Sequence, residues 1–209
     1  MKSIADKLLN HYSEAFEKYG PTSEGVDWGS DANKLMTRYQ NMINVIRFAE
    51  YDRPSLLDVG CGYGGLLDFI KERKLDIIYT GIDGAQNMIR WAKSHHASNH
   101  GTFISSEFMD FSPEACFDYV VCNGILTQKL DVTNLDMDIY AAKLIKRMFQ
   151  TCNIGVAFNI MTTKSNYYSK NLYYRSPVEI LAWCLSEVTG NIKIDHSYGM
   201  YEYTVYLYK

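Results

Sequence analysis

A glycine-rich turn that follows a short apolar run constrains this chain more than any other feature. Residues 55–65 read SLLDVGCGYGG, and the helical pattern LLDFIKER follows at once. Gly60, Gly62 and Gly65 satisfy the spacing G-x-G-x-x-G, in which glycines let a strand turn tightly into a helix and let a ligand approach the backbone. The sequence therefore predicts a strand, a ligand-contacting loop and a helix at the start of the folded core.

Strand and helix patterns alternate from this turn to the end of the chain. Apolar runs predict further strands within residues 76–83, 102–111, 117–126, 153–161, 191–198 and 202–209. Alternation of this kind is typical of a parallel sheet covered by helices on both faces. We predict an α/β, doubly wound, mostly parallel seven-stranded sheet that ends in an antiparallel hairpin.

The first 50 residues predict two helices that precede the sheet. Leu8, Tyr12 and Phe16 recur at helical spacing, and a second apolar stripe runs from Leu35 to Ile46. No repeat or linker divides the chain. We expect one domain over residues 1–209, with residues 1–50 as a helical lid and residues 51–209 as the core.

Composition and charge exclude several classes of protein. The net charge of -3 gives no strong attraction to nucleic acid or to an anionic membrane. No apolar run approaches the 18 residues of a membrane span, and the N-terminus does not read as a signal peptide. The five cysteines form no CxxC pair, so we expect reduced thiols, a cytoplasmic protein and no metal site.

The acid before the glycines distinguishes two possible ligands. Asp58 lies two residues before Gly60, where a negative charge is unfavourable beside the pyrophosphate of a dinucleotide. The same charge suits a cationic ligand. Asp58 and Asp83 also suit capping of the turn and the helix that follow them. Neither residue alone therefore decides between a ligand-binding role and a capping role.

Four motifs in order resemble those of the class I, Rossmann-like S-adenosylmethionine-dependent methyltransferases. They are LDVGCGYGG, TGIDGAQNMI, FMDF and FDYVVCNGIL. The resemblance implies S-adenosylmethionine as cofactor and S-adenosylhomocysteine as product. It places Asp58 near the methionine amino group and Asp83 on the ribose hydroxyls. The other cofactor-binding residues it implies are Gly60, Cys61, Gly62, Gly84, Met88, Asp110, Phe111 and Asn123.

The N-terminal helices and the VDWG segment are expected to fold over this cofactor. Aromatic faces can hold a sulfonium, and an arginine can pair with a carboxylate. Tyr19, Trp28 and Arg38 are therefore candidates for the cofactor. Candidates for the acceptor, which also suit helix core or surface positions, are Tyr12, Tyr39, Tyr168, Tyr173 and Arg175.

The missing motifs narrow the chemistry. Asn123 is not followed by the Pro-Pro-Tyr of enzymes that methylate exocyclic amines, so we predict methyl transfer to an oxygen, with nitrogen less favoured, of a small polar acceptor. The tail YEYTVYLYK and Phe158-Asn159 resemble enzymes that tailor surface polysaccharides. A hydroxyl acceptor needs a general base, for which we predict His196 with Tyr201 nearby.

Two other functions stay open on the sequence alone. An RNA methyltransferase is less favoured because the chain has no basic stripe with interleaved aromatic residues. A non-catalytic partner protein that binds S-adenosylmethionine would keep the same cofactor motifs.

His95, His96 and His100 follow a helix end and are expected to be capping or solvated residues. The sequence leaves the acceptor molecule, the acceptor atom, the identity of the general base and the oligomeric state open.

Overall fold

The computed structural model describes residues 3–97 and 101–209, and the prediction for His100 lies outside them. The helices are α1 Ile4–Tyr19, α2 Ala32–Ile43, α3 Gly65–Glu72, α4 Gln86–His95, α5 Asn134–Thr151 and α6 Pro177–Glu187. The strands are β1 Ser55–Val59, β2 Ile78–Asp83, β3 Thr102–Ser105, β4 Phe117–Cys122, β5 Cys152–Thr162, β6 Tyr174–Arg175, β7 Asn191–Asp195 and β8 Glu202–Tyr208. Short 3₁₀ turns occupy Glu24–Val26, Phe108–Asp110 and Ile125–Thr127.

The strands form one sheet in the order β3-β2-β1-β4-β5-β8-β7. The pairs from β3 to β5 are parallel, and β8 is antiparallel to both β5 and β7. The chain order reverses between β1 and β4, where the crevice beyond the strand ends is open for a ligand. This confirms the predicted doubly wound sheet with its antiparallel C-terminal strands, to which the two-residue β6 adds a short parallel pair with β5.

Two apolar layers cover the sheet. On one face, α5 and α6 pack on alternate residues of the strands, for example Val120 and Val156. On the other face, α2, α3 and α4 pack on the intervening residues, for example Val121 and Ala157. Every second side chain of a strand points to the same face, so near-continuous apolar strands fill both layers.

The N-terminal helices begin where the chain supplies caps. Ser3 accepts from Asp6 N at 3.0 Å while the Asp6 carboxylate accepts from Ser3 N, and Asp31 caps α2. Gly20 ends α1 with a φ of 66°, a conformation that favours glycine.

Phe16 of α1 stacks on Tyr63 beside Met88 of α4, so α1 crosses the end of the sheet where β1 and β2 finish. Among the described residues, no helix is both long enough and apolar enough to cross a membrane.

Candidate active site

A deep cleft lies at the carboxyl ends of β1, β2 and β4, beneath α1 and the turn before α2. It encloses about 1010 Å³, part of it open to solvent, which is of the size of small-molecule sites. Many of the sequence-predicted residues line it: Tyr12, Trp28, Tyr39, Asp58, Gly60, Cys61, Gly62, Asp83, Gly84, Met88 and Asn123. The topology brings them together from positions that span more than half of the chain.

The glycine loop holds its shape through bonds to the end of β2. Gly60 N and Cys61 N donate to Ile82 O at 2.9 and 3.2 Å, and Gly62 N donates to Asp83 Oδ2 at 2.9 Å. Gly60 has a φ of 73°, and a Cβ there would lie 2.5 Å from the Ile125 side chain. Glycine is required at this position because a side chain meets both an unfavourable backbone conformation and a neighbour.

Asp58 lies beneath this loop with an unusual electrostatic environment. Its carboxylate is buried, and Tyr79 donates its hydroxyl hydrogen to Oδ2 at 2.7 Å. Burial raises the pKa of Asp58 to about 7, against the opposing effect of the Tyr79 bond. A cationic ligand would favour the ionised form of this carboxyl.

Two further carboxylates line the wall formed by β2 and the segment after β3. Asp83 Oδ1 accepts from Ala85 N at 2.8 Å, and its Oδ2 takes the Gly62 bond, so each oxygen keeps a free lone pair. Burial raises the pKa of Asp83 and of Glu107, and the Asp83 charge raises that of Glu107 further. Glu107 Oε1 would lie 2.6 Å from a Cβ on Gly84, so this carboxylate packs directly against another residue of the cleft lining.

Asn123 presents an unpaired amide at the end of β4. Its side chain is buried, and neither Oδ1 nor Nδ2 has a hydrogen-bond partner in the structure. A buried amide without partners is costly, and its polar atoms are available to a ligand in the cleft that it lines. The next residue, Gly124, is held on both sides, since its N–H donates to Asn159 Oδ1 at 2.8 Å and its carbonyl accepts from Thr127 Oγ1 at 2.6 Å.

Aromatic side chains form much of the remaining wall. Tyr12, Trp28 and Tyr39 come from the N-terminal segment, while Tyr63 and Tyr140 come from the core. Burial raises the pKa of Tyr12, Tyr39 and Tyr140, so these phenols stay neutral donors at physiological pH. Tyr12 donates to Gly124 O at 3.3 Å and so joins α1 to the turn after β4.

The charge of the lining has one sign. Asp58, Asp83 and Glu107 contribute carboxylates, and among the described residues the lining contains no lysine, arginine or histidine. Carboxylates and aromatic faces attract a cation and repel a pyrophosphate. The residues present therefore fit S-adenosylmethionine, which carries an ammonium and a sulfonium, and do not fit a dinucleotide.

The third motif contributes different residues from those predicted. Ser106, Glu107, Phe108 and Met109 line the cleft, whereas Asp110 and Phe111 do not. The 3₁₀ turn Phe108–Asp110 reverses the chain before it reaches them. Asp110 is exposed, and the Phe111 carbonyl accepts from the Arg147 guanidinium at 2.7 Å on the side of α5.

Arg38 and Tyr19 are also not in the cleft lining. Arg38 is bound by the carboxylate of Glu202 through Nε at 2.9 Å and Nη2 at 2.7 Å, so its charge is already neutralised. This corrects the expectation that Arg38 pairs with the methionine carboxylate. Tyr19 is 42% exposed at the end of α1, with the Lys18 ammonium 4.7 Å from its ring centroid.

The residues predicted in the segment after β5 do not line the cleft. Tyr173 is buried in the core and donates to Asp138, and Arg175 forms an ion pair with the same carboxylate. Both side chains are thus engaged on the α5 face and are absent from the cleft lining. Tyr168 is exposed and lines a shallow groove with Lys129 and Lys170.

The histidine predicted as the general base does not line the cleft, and a different histidine lies near it. His196 and Tyr201 are exposed beside the β7–β8 turn and do not line the cleft. His11, which no sequence pattern singled out, lies next to Tyr12 with its Nε2 2.9 Å from Asp27 Oδ2. Asp27 stands between two lining residues of the N-terminal segment and also accepts from Gln128 Nε2 at 2.6 Å. No local sequence pattern identifies this pair, because His11 lies in α1 and Asp27 lies 16 residues later in the following loop.

His95 and His96 belong to a separate cluster at the end of α4. One ligand atom each of Asp68, His95 and His96 lies within 4.8 Å of the others. Lys71 Nζ is 2.9 Å from His96 Nδ1, so an ammonium stands where a metal would bind that nitrogen. His95 stacks on Trp91 with 4.3 Å between ring centroids. We interpret the cluster as side-chain packing at a helix end.

Comparison with known proteins decides the family. The methyltransferase domain family matches residues 56–140. Rv1506c of Mycobacterium tuberculosis (strain ATCC 25618 / H37Rv), which is classed with the methyltransferases, is 30% identical over 158 residues, or 74% of this chain and 93% of that protein. The chain belongs to the class I S-adenosylmethionine-dependent methyltransferases. This methyltransferase is an enzyme whose cofactor is S-adenosylmethionine.

Solved structures of this methyltransferase fold are similar over nearly the whole chain. Magnesium protoporphyrin IX methyltransferase from Synechocystis PCC 6803, solved with bound S-adenosylmethionine, has a TM-score of 0.69 at 11% identity and covers 100% of this chain and 98% of its own. A S-adenosylmethionine-dependent methyltransferase from Leishmania major has a TM-score of 0.67 at 13% identity, over 100% of this chain and 87% of its own. At these identities the likeness shows the fold.

Proposed function

We propose that this methyltransferase transfers a methyl group to a hydroxyl oxygen of a small polar acceptor that carries no negative charge inside the cleft. The observation that carries the proposal is the lining of the cleft, where three carboxylates and six aromatic side chains occur with no cationic side chain among the described residues. An anionic acceptor would find no partner there, while neutral hydroxyls and aromatic faces suit each other.

The ammonium, the ribose and the adenine of the cofactor each have a matching side chain in this proposal. Asp58 would hold the methionine ammonium, and Asp83 would accept from the ribose hydroxyls through its free lone pairs. Glu107 would meet the adenine amine, with Met88 and Phe108 against the ring faces. Gly60 and Gly62 let the backbone come close to the ligand.

The bound cofactor supplies an electrophilic methyl group on a positively charged sulfur. The protein has to exclude water from this group and hold the acceptor against it, and positioning of this kind accounts for much of such catalysis. Tyr12 and Trp28 would cover the methyl side of the cleft, since both come from the N-terminal segment that lies over the turn at Gly124. The Asn123 amide would contact the ligand at the same end.

His11 does not itself line the cleft but adjoins the lining residue Tyr12, and it would take the proton from an acceptor hydroxyl held next to that tyrosine. The Asp27 carboxylate accepts from Nε2–H in this arrangement, which leaves Nδ1 with the basic lone pair. Gln128 Nε2 donates to the same oxygen, Asp27 Oδ2, so this carboxylate is held from two parts of the chain at once. A histidine positioned by a carboxylate is a common general base.

A sugar or other polar metabolite fits these requirements, and surface-polysaccharide tailoring stays a prediction from the sequence motifs. A phosphate attached to such an acceptor would have to lie outside the cleft. The groove that contains Lys129, Lys170 and Tyr168 offers a place for it, and Asn171 Nδ2 joins this loop to Gln128 Oε1 at 3.0 Å.

Acceptor screening tests the proposal. The enzyme is incubated with S-adenosylmethionine and neutral glycosides, amines, or sugar phosphates, and release of S-adenosylhomocysteine is measured. We expect turnover with hydroxyl acceptors that are neutral around the reactive group. Turnover confined to amines, or to acceptors with an anionic group next to the methylated atom, would contradict it.

A further inference from the structure

We propose that Glu202, with Arg38, is a positioning residue that fixes the turn at Asn123 and Gly124 through the side chain of Asn159. The inference rests on the proposed cofactor site, because that turn lines the cleft. It assigns a role to Glu202 of the C-terminal strand β8 and to Arg38 of helix α2, two side chains that do not line the cleft.

The contacts form a directed chain of four groups. Arg38 donates to Glu202 through Nε at 2.9 Å and Nη2 at 2.7 Å. Asn159 Nδ2 donates to Glu202 Oε1 at 3.1 Å, and Asn159 Oδ1 accepts from Gly124 N at 2.8 Å. Glu202 and Asn159 are 2% and 1% exposed, so water does not compete for these bonds.

The carboxylate determines which way the Asn159 amide faces. An amide side chain can rotate by half a turn and exchange its donor and acceptor ends. A carboxylate paired with a guanidinium only accepts, so it holds the NH₂ end of Asn159 and turns the carbonyl end toward Gly124. Without the negative charge, the amide could present its NH₂ to the Gly124 N–H, where two donors would meet.

The turn that this chain of bonds holds is sensitive to its position. Gly124 has a φ of 100°, and a Cβ there would lie 2.6 Å from the Trp28 ring. The Arg38 guanidinium carbon lies 4.9 Å from the centroid of the same ring. Arg38 therefore supports both walls of the cleft at this end, one through Trp28 and one through Glu202 and Asn159.

A buried ion pair alone is weak evidence for a contribution to stability, because burial of two charges is itself costly. The alternative to positioning is therefore a purely structural pair that lowers the melting temperature when it is broken and leaves ligand affinity unchanged. The Arg175–Asp138 pair offers a matched control, since it is half-buried and lies away from the cleft.

The test compares Glu202→Gln with Asp138→Asn in the full chain. The dissociation constant for S-adenosylhomocysteine is measured by calorimetry well below each melting temperature, and the exchange rate of the Gly124 amide hydrogen is measured by NMR. We expect both variants to melt earlier. Only Glu202→Gln should weaken binding, by about tenfold for one lost charged bond, and only it should speed Gly124 exchange.

An unchanged affinity and unchanged Gly124 protection in Glu202→Gln would overturn the inference. If Glu202→Gln does not fold, Arg38→Lys serves instead, because it keeps the charge and loses the two-point contact; it should weaken binding by about threefold, and wild-type affinity would again overturn the inference. A wild-type protein that binds no S-adenosylhomocysteine would contradict the proposed function itself.

Discussion

Tyr79 donates its hydroxyl hydrogen to Asp58 Oδ2 at 2.7 Å beneath the glycine loop. The bond favours the charged carboxylate, yet burial raises the pKa of Asp58 to about 7. The acid is therefore poised near neutrality and not permanently charged. A ligand that brings a positive charge to this place completes the electrostatics of the site.

Cofactor affinity should depend on pH through Asp58. Below pH 7 the ligand must displace the Asp58 proton, so affinity for S-adenosylmethionine should fall by up to about tenfold per pH unit between pH 7 and pH 5. Calorimetry across this range measures the slope. Asp58→Asn should bind weakly and without this slope. A wild-type affinity that is flat from pH 5 to pH 8 would argue against contact between Asp58 and a cationic group.

The same group predicts the opposite trend for the ligand-free protein. The folded pKa of about 7 exceeds the unfolded value of about 3.9, so folding binds a proton. The stability contributed by this proton is present below pH 4 and is lost as pH rises through 7. The free energy of unfolding of Asp58→Asn should therefore change less than that of wild type between pH 5 and pH 8, as denaturant titrations can measure.

Asp83 should contribute strongly to cofactor affinity. Asp83→Ala removes the proposed acceptor of the ribose hydroxyls and the partner of Gly62 N, and should weaken binding by roughly 1.5–3 kcal/mol. Asp76→Ala is the control, because Asp76 is an exposed partner of Arg53 on the surface. Equal affinities of the two variants would remove Asp83 from the site.

Glu107 and Asp110 provide a matched test of the third motif. Glu107 lines the cleft and Asp110 is exposed three residues later. Glu107→Gln should weaken binding of S-adenosylhomocysteine by about 1 kcal/mol or more, and Asp110→Asn should leave it unchanged. The reverse order of affinities would restore the position that the sequence suggested.

His11 and His196 separate the two candidates for the general base. His11→Gln should lower turnover of a hydroxyl acceptor by about 10²–10⁴-fold while cofactor affinity stays the same. His196→Gln should retain turnover, since His196 lies exposed beside the β7–β8 turn, whereas His11 adjoins the lining residue Tyr12. Full activity in His11→Gln would show that His11 is not the general base.

The sheet and the glycine loop could be predicted because their signals are local. Apolar runs that end in Asp58 and Asp83 mark strands whose ends must meet in a parallel sheet, and the glycine spacing marks the turn between them. The order of β8 between β5 and β7 follows the same logic, since the terminal hairpin adds one antiparallel strand.

The misplaced residues depend on contacts that local patterns do not contain. Arg38 meets Glu202 across 164 positions of sequence, so a cationic side chain on a helix gave no sign that it was already paired. Asp110 was predicted at the cleft, but Glu107, three residues earlier, lines it. The 3₁₀ turn after β3 places these residues, and the local sequence pattern does not contain that turn. His196 was predicted because it follows a strand end, but the β7–β8 hairpin that carries it does not line the cleft.

Calorimetric titration of the full chain with S-adenosylmethionine, S-adenosylhomocysteine and NAD tests the central claim most directly. The negative lining of the cleft predicts saturable binding of both adenosyl compounds, lost in Asp83→Ala, and no binding of NAD. Binding of NAD without either adenosyl compound would contradict the account, because a pyrophosphate would then occupy a cleft walled by Asp58, Asp83 and Glu107.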